Sequence, residues 1–286
     1  MRRSNAVLIV VLLISLGTGF YLGWDLAKAY AVRPAFSDGE DDLPAPPVGG
    51  GAAEPAPPEP VPLEPAPPEA NVGEEERTVF LTFDDGPSKN TPLVLDILRE
   101  NGIKATFFVN GRDNKFARQM YRRIVDEGHA LGNHTYSHDY ALIYSSVAGY
   151  LADTEKLNDL LSDAAGVRPN IIRFPGGSAN HSSWAYGGKD FMAELTQRMT
   201  EEGYHYFDWN VVAGDAAPGV TPGPDIVAAV REGMAGRRQA IVLFHDGAKQ
   251  TTTVEALPEI IRELREQGYG FAVLTPDGFT YRFGAS

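Results

Sequence analysis

From Arg77 onward, short β-branched or aromatic runs alternate with longer stretches of helical periodicity, and this order admits few architectures. Strands separated by helices are joined most simply in parallel, so the pattern predicts an α/β fold with a largely parallel sheet. Residues 78–83, 103–109, 171–174, 204–212 and 240–244 read as strands, and 92–100, 114–127, 146–165, 190–202, 224–235 and 254–267 as helices. Polar motifs close these strands: Asp84 follows the first, Pro175-Gly-Gly177 the third and His245 the last. In a β/α barrel the carboxyl ends of the strands share one face, where such residues converge. The region 77–286 is shorter than the roughly 250 residues of a complete eight-unit barrel. A distorted or incomplete (β/α) barrel is therefore expected.

The 76 residues before this region have other compositions. Arg2 and Arg3 precede an uncharged stretch at 6–24, long enough as a helix to cross roughly 30 Å of hydrocarbon. The positive-inside rule puts residues 1–5 in the cytoplasm and everything after Asp25 outside the cell. An uncleaved single-pass anchor in the cell membrane is expected; the alternative is a signal peptide cut after Ala29-Tyr-Ala31, giving a secreted protein. Residues 25–76 are an expected extracellular linker. Its Pro/Glu-rich part includes Glu54-Pro-Ala-Pro-Pro-Glu59 and the matching Glu64-Pro-Ala-Pro-Pro-Glu69. Such a segment buries too little apolar surface to fold and reads as a disordered, partly polyproline spacer. Residues 1–33 carry a net charge of +3 and 34–76 carry −11, which leaves −5 of the total −13 for 77–286. That mild acidity excludes the basic footprint of a nucleic-acid binder. The absence of cysteine excludes disulfides, a thiol nucleophile and a lipidated cysteine anchor.

Asp84 and Asp85 stand side by side at a strand end, and His134 and His138 lie four apart. Two imidazoles and one carboxylate hold a divalent ion while leaving a coordination position open. The neighbouring carboxylate is then placed to accept a proton from water. Taken singly, Asp84-Asp85-Gly86-Pro87 reads equally as a turn; His134 and His138 have an alternative as unconnected surface histidines and His245 as a core histidine, while Trp209 is more often core and Asp215 more often a turn residue. Arg173 lies inside an apolar strand, where a buried guanidinium needs a carboxylate, and Asp84 is its expected partner.

Thr82-Phe-Asp-Asp-Gly86, His134-Thr-Tyr-Ser-His138, Arg173-Phe-Pro175, Trp209 with Asp215, and Leu243-Phe-His-Asp246 resemble, in order, the five motifs of the polysaccharide deacetylase family. This is carbohydrate esterase family four, with its NodB homology domain. The resemblance implies a distorted β/α barrel and a metal-dependent hydrolase that removes N-acetyl groups from amino-sugar polymers. It implies Asp85, His134 and His138 as ligands of one divalent metal, zinc foremost, with cobalt or nickel also suited to these donors. It makes Asp84 the general base and His245 the general acid, with Arg173 orienting the base and Asp215 tuning the acid. Trp209, Leu243 and Pro175 become pocket residues, and the Tyr136 backbone N–H a donor to the oxyanion. Two positions depart from the pattern. Gly176-Gly177 stands where many members carry an aromatic residue then glycine, and Ala216 where some carry tryptophan.

The expected substrate is peptidoglycan, at N-acetylglucosamine or N-acetylmuramic acid, because the tether holds the enzyme beside that polymer. Chitin, an exopolysaccharide or an O-acetyl ester are alternatives on the same fold, and a non-catalytic wall-binding module is a further one. No Gly-x-Ser-x-Gly elbow supports a serine hydrolase. Envelope polysaccharide and membrane are the expected partners, and the chain is expected to be a monomer.

Overall fold

The computed structural model describes residues 77–217 and 219–284. The expected anchor at 6–24 and linker at 25–76 lie outside the described residues. Among the described residues no helix is long and apolar enough to cross a membrane. In chain order the elements are β1 (Arg77–Asp84), α1 (Thr91–Glu100), β2 (Thr106–Val109), α2 (Lys115–Asp126), β3 (Ala130–Asn133), α3 (Tyr140–Ile143), α4 (Val147–Ala165) and β4 (Ile171–Ile172). A 3-10 turn (His181–Ser183) leads into α5 (Trp184–Gly187), α6 (Phe191–Glu201), β5 (His205–Tyr206), β6 (Val211–Val212), α7 (Gly223–Met234), β7 (Gln239–His245), α8 (Thr251–Glu266) and β8 (Tyr269–Phe271).

The sheet order is β5-β4-β3-β2-β1-β7-β6, with β8 also on β1, and every pairing is parallel. One edge of β1 runs along β7 from Thr78↔Gln239 to Asp84↔His245. The other edge is shared by β8, opposite Arg77 to Val79, and β2, opposite Thr82 to Asp84. No ladder joins β5 to β6, so the barrel is incompletely closed, as the length of the region predicts.

Side chains alternate across β1 with the strand period of two. Val79, Leu81 and Phe83 join the core under the helices, while Phe80 points inward with Phe108, Ile171, Phe207, Ile241 and Leu274. Phe83 stacks between Phe107 and Phe244 at centroid distances of 5.2 and 5.4 Å. Truncating such a ring to alanine costs about 3–5 kcal/mol. The inward series Phe80, Thr82, Asp84 carries this face to the carboxyl end and sets Asp84 on the barrel interior.

Local signals fix the helices. Asn114 Oδ1 accepts the Ala117 N–H (2.9 Å) to start α2, and Ser146 Oγ accepts the Gly149 N–H (3.0 Å) to start α4. Gly166 ends α4 in the left-handed region at φ 70°. The structure corrects the sequence reading at three strands. Residues 204–212 form two short strands with a loop at 207–210, because the Asp208 N–H donates to the Tyr281 carbonyl and not to a neighbouring strand. β3 and β8 were not anticipated. β3 contains Gly132, where a Cβ would stand 2.5 Å from Phe108 Cδ1, so close packing selects a residue of poor strand propensity.

Candidate active site

The β1–β7 register makes Asp84 and His245 direct neighbours at the carboxyl ends of adjacent strands. Asp84 is buried, and its two oxygens face different partners. Oδ1 accepts from Arg173 Nη1 at 2.9 Å, while Oδ2 lies 3.7 Å from His134 Nε2. Arg173 is 0% exposed and reaches Asp84 from β4's end, where further acceptors surround it. Nη1 also donates to Thr82 Oγ1 (2.7 Å), Nε to the Phe207 carbonyl (3.0 Å) and Nη2 to the Asp208 carbonyl (3.2 Å). The guanidinium lies over the Phe108 ring, 4.3 Å from its centroid. The structure thus joins Arg173 to the carboxylate expected from its burial.

Asp85, His134 and His138 each offer a ligand atom, all within 4.8 Å of one another. His138 Nε2 lies 3.4 Å and His134 Nε2 3.7 Å from Asp85 Oδ1. His134 Nδ1 sits 2.8 Å from the Arg173 carbonyl, which can only accept. That contact fixes the proton on Nδ1 and turns the Nε2 lone pair toward Asp85. Burial pulls the His134 imidazole down to about 3, the neutral form a metal requires. Three non-glycine residues among those described have positive φ: Asp85 (76°), Thr135 (70°) and His138 (52°). Such backbone costs on the order of 1–3 kcal/mol per residue and gathers at functional sites. Here it aims two of the three candidate ligands. Donor type, tautomer and spacing fit one divalent ion.

On the other side, His245 Nδ1 lies 2.9 Å from Asp215 Oδ1, and its backbone N–H donates to Asp215 Oδ2 at 2.8 Å. Thr253 Oγ1 donates to the same oxygen at 2.9 Å. Nε2 is left for other chemistry. Burial pulls this imidazole down, but the Asp215 hydrogen bond and the charges of Asp84, Asp215 and Asp85 outweigh it and lift the group to about 9. For Asp84 burial is again the largest influence and here lifts the carboxyl above its ordinary range, against Arg173, His245 and His138. Arg173 therefore orients Asp84 and restrains that rise without reversing it.

The remaining expected residues divide. Leu243 is buried on β7, in register with Thr82. Trp209 is half-buried, its ring 5.6 Å from Arg173 Cζ. The Pro175 carbonyl accepts from Tyr144 Oη (2.6 Å) and Asn180 Nδ2 (2.8 Å), which shapes the turn after Arg173. The Tyr136 assignment is corrected. Its N–H donates to Asp153 Oδ1 at 2.6 Å, and Ser137 N–H to the same oxygen at 3.0 Å, so it is not free for an oxyanion. Asp153 on α4 thereby pins the loop that carries both histidines. No sequence motif marks Asp153, because its partners are main-chain groups 16 and 17 residues away. Asp246 is a second residue beyond the sequence reading's roles. It is buried, accepts the Thr91 hydroxyl, and is pushed up to about 7, chiefly by burial. Gly86 is glycine beside it because a Cβ would stand 2.5 Å from Asp246 Oδ2.

Residues 71–190 match the family described as Polysaccharide deacetylase. Protein YheN of Bacillus subtilis is 34% identical over 212 residues, covering 71% of this chain and 68% of its own. A peptidoglycan-N-acetylglucosamine deacetylase of Bacillus cereus is 30% identical over 203 residues, 70% of each chain. Among solved structures, the catalytic domain of a peptidoglycan N-acetylglucosamine deacetylase from Eubacterium rectale superposes with a TM-score of 0.69 at 34% identity, over 74% of this chain and 94% of that one. The parallel sheet curled into an open barrel is the fold these proteins share. With motifs, fold and relatives in agreement, the chain is a hydrolase of the polysaccharide deacetylase family.

Proposed function

We propose that this hydrolase removes N-acetyl groups from amino sugars of a cell-envelope polysaccharide, foremost peptidoglycan N-acetylglucosamine, releasing acetate and a free amine. The observation that carries the reading is the pairing of Asp84 and His245 in register beside the Asp85–His134–His138 group. The names of the Bacillus cereus and Eubacterium rectale relatives support the substrate.

An acetamide resists water because its carbonyl is weakly electrophilic and its nitrogen leaves poorly. A divalent ion held by Asp85, His134 and His138, zinc foremost, would supply Lewis acidity toward the acetyl oxygen and the attacking water. Asp84 Oδ2, left free because Arg173 occupies Oδ1, takes the proton as the water oxygen bonds to the acetyl carbon. The raised affinity of Asp84 for a proton suits that role. As the C–N bond breaks, His245 donates a proton to the departing amine from Nε2, while Asp215 holds Nδ1. Arg173 thus favours the ionised base, although burial outweighs it, while Asp215 favours the protonated acid.

Mass spectrometry of N-acetylglucosamine oligomers and digested peptidoglycan after exposure to the full chain tests the reading. Loss of the mass of the acetyl group in exchange for hydrogen at each modified sugar, abolished by chelation and restored by zinc or cobalt, is expected; unchanged masses on both substrates overturn it. The proposed place is the outer face of the cell membrane, with residues 6–24 as anchor and 25–76 as tether. Full-length protein should fractionate with membranes. Soluble extracellular product beginning near Val32 would instead establish cleavage.

A further inference from the structure

Asp208 has no part in the chemistry above, yet it is 0% exposed and every group on it is engaged. Its carboxylate accepts the Ser178 N–H (2.8 Å), the Ser178 hydroxyl and the Phe283 N–H (2.8 Å). Its own N–H donates to the Tyr281 carbonyl (2.9 Å), and its carbonyl accepts from Arg173 Nη2 (3.2 Å). One residue therefore ties the C-terminal segment 281–283 to the turn after Pro175 and to the arginine that holds Asp84.

The side chains of that segment alternate. Arg282 lies over Tyr206, 4.1 Å from the ring centroid. Phe283 packs edge-on to Trp209 at 5.0 Å, and Tyr281, 37% exposed, packs edge-on to Phe283 at 6.1 Å. Gly177, at φ 84°, leaves the space they fill. A Cβ there would stand 2.6 Å from Phe283 Cε2 and 3.1 Å from Trp209 Cη2. The turn thus has no side chain of its own where the segment delivers an aromatic one. Standing edge-on at 83° and 87°, these rings offer separate apolar faces of the kind that the C–H face of a pyranose covers, and Trp209 carries them to within 5.6 Å of Arg173 Cζ, the arginine that holds Asp84.

We propose that the segment is part of the substrate groove: Tyr281 and Phe283, with Trp209, form a platform for a sugar ring neighbouring the one deacetylated, and Asp208 is the residue that positions it. The proposal deepens the deacetylase reading and rests on it for the substrate class. Platform contacts act on chain length, so kinetics on N-acetylglucosamine dimer and hexamer separate them from general damage. In the full chain, Phe283→Leu keeps bulk but removes the flat face. It should raise KM for the hexamer about tenfold more than for the dimer, with kcat falling less than KM rises, and Phe283→Tyr should restore the wild-type ratio. Asp208→Asn should reproduce the same length-dependent rise in KM. Equal losses on dimer and hexamer, or an unchanged hexamer KM, overturn the platform. A wild type that turns over no oligomer sinks the deacetylase reading instead, and calorimetry with the Asp84→Asn chain then decides the platform separately. Hexamer binding weakened by Phe283→Leu supports it; equal affinity, or no binding, overturns it.

Discussion

At the top of β1 a carboxylate sits against an arginine with almost no access to water; at the top of β7 an imidazole sits against a carboxylate with partial access. Both groups hold a proton more tightly than the free amino acids do. For Asp84 the cause is loss of water, with Arg173 opposing it; for His245 the cause is added negative charge, with loss of water opposing it. Burial acts on both sites and works toward the neutral form in each. What differs is the partner: the arginine falls short of reversing burial, while Asp215 and the nearby carboxylates exceed it.

The comparison is tested most severely at Asp84. Asp84→Asn should lower turnover by about 10² to 10⁴ while metal content is retained, since the proposed mechanism gives the proton transfer to Asp84 and the ion to Asp85. His134→Ala should lose the metal. Elemental analysis of both variants decides this, and equal metal loss would mean the two aspartates have exchanged roles. Next in size is Arg173→Met, which leaves Asp84 buried without its partner and should cost about 3–5 kcal/mol in denaturant unfolding. If stability is unchanged, the pair is not the anchor described here.

Asp215→Asn probes the acid side. Losing the negative charge, His245 should give up its proton sooner, so the alkaline limb of the rate profile should move down by about one pH unit or more. A matching stability effect follows. Because His245 is raised from 6.5 to about 9, its contribution is complete below pH 6.5 and is lost as pH rises through 9. Wild-type unfolding free energy should therefore fall on the order of 3 kcal/mol across that window, and the variant should show a flatter profile. The smallest effect is expected at the histidine loop. Asp153→Leu removes the acceptor of two N–H groups and should weaken metal affinity about tenfold, while Asp153→Asn, which keeps an oxygen there, should lose less. Identical affinities in a metal titration would show that the strained loop holds itself.

Much of this site is legible because its residues are adjacent in sequence to strong strands. β1 and β7 are continuous apolar runs, so Asp84, Asp85 and His245 are located by where those runs stop. His134 is reached less directly. Its strand, Ala130–Asn133, contains glycine and asparagine and is shaped by contact with Phe108 more than by propensity. Arg173 and its partner follow from the cost of burying a lone charge. Asp153 and Asp208 are invisible at that level, because each serves main-chain N–H groups remote in sequence and a main-chain N–H has no letter. The Tyr136 assignment failed for the same reason: only the fold reveals that its N–H is already taken.

The unpaired seam between β5 and β6 has a consequence for how such an enzyme diversifies. Residues in a closed barrel have their main-chain groups committed to neighbouring strands, whereas Asp208 in the seam keeps its own N–H for the Tyr281 carbonyl. The Phe283 end of the attachment is likewise a main-chain N–H. A fastening made this way is indifferent to which side chains positions 281 and 283 carry. Lineages can therefore exchange those residues, and with them the surface shown to a polymer, while the attachment and the catalytic pair stay as they are.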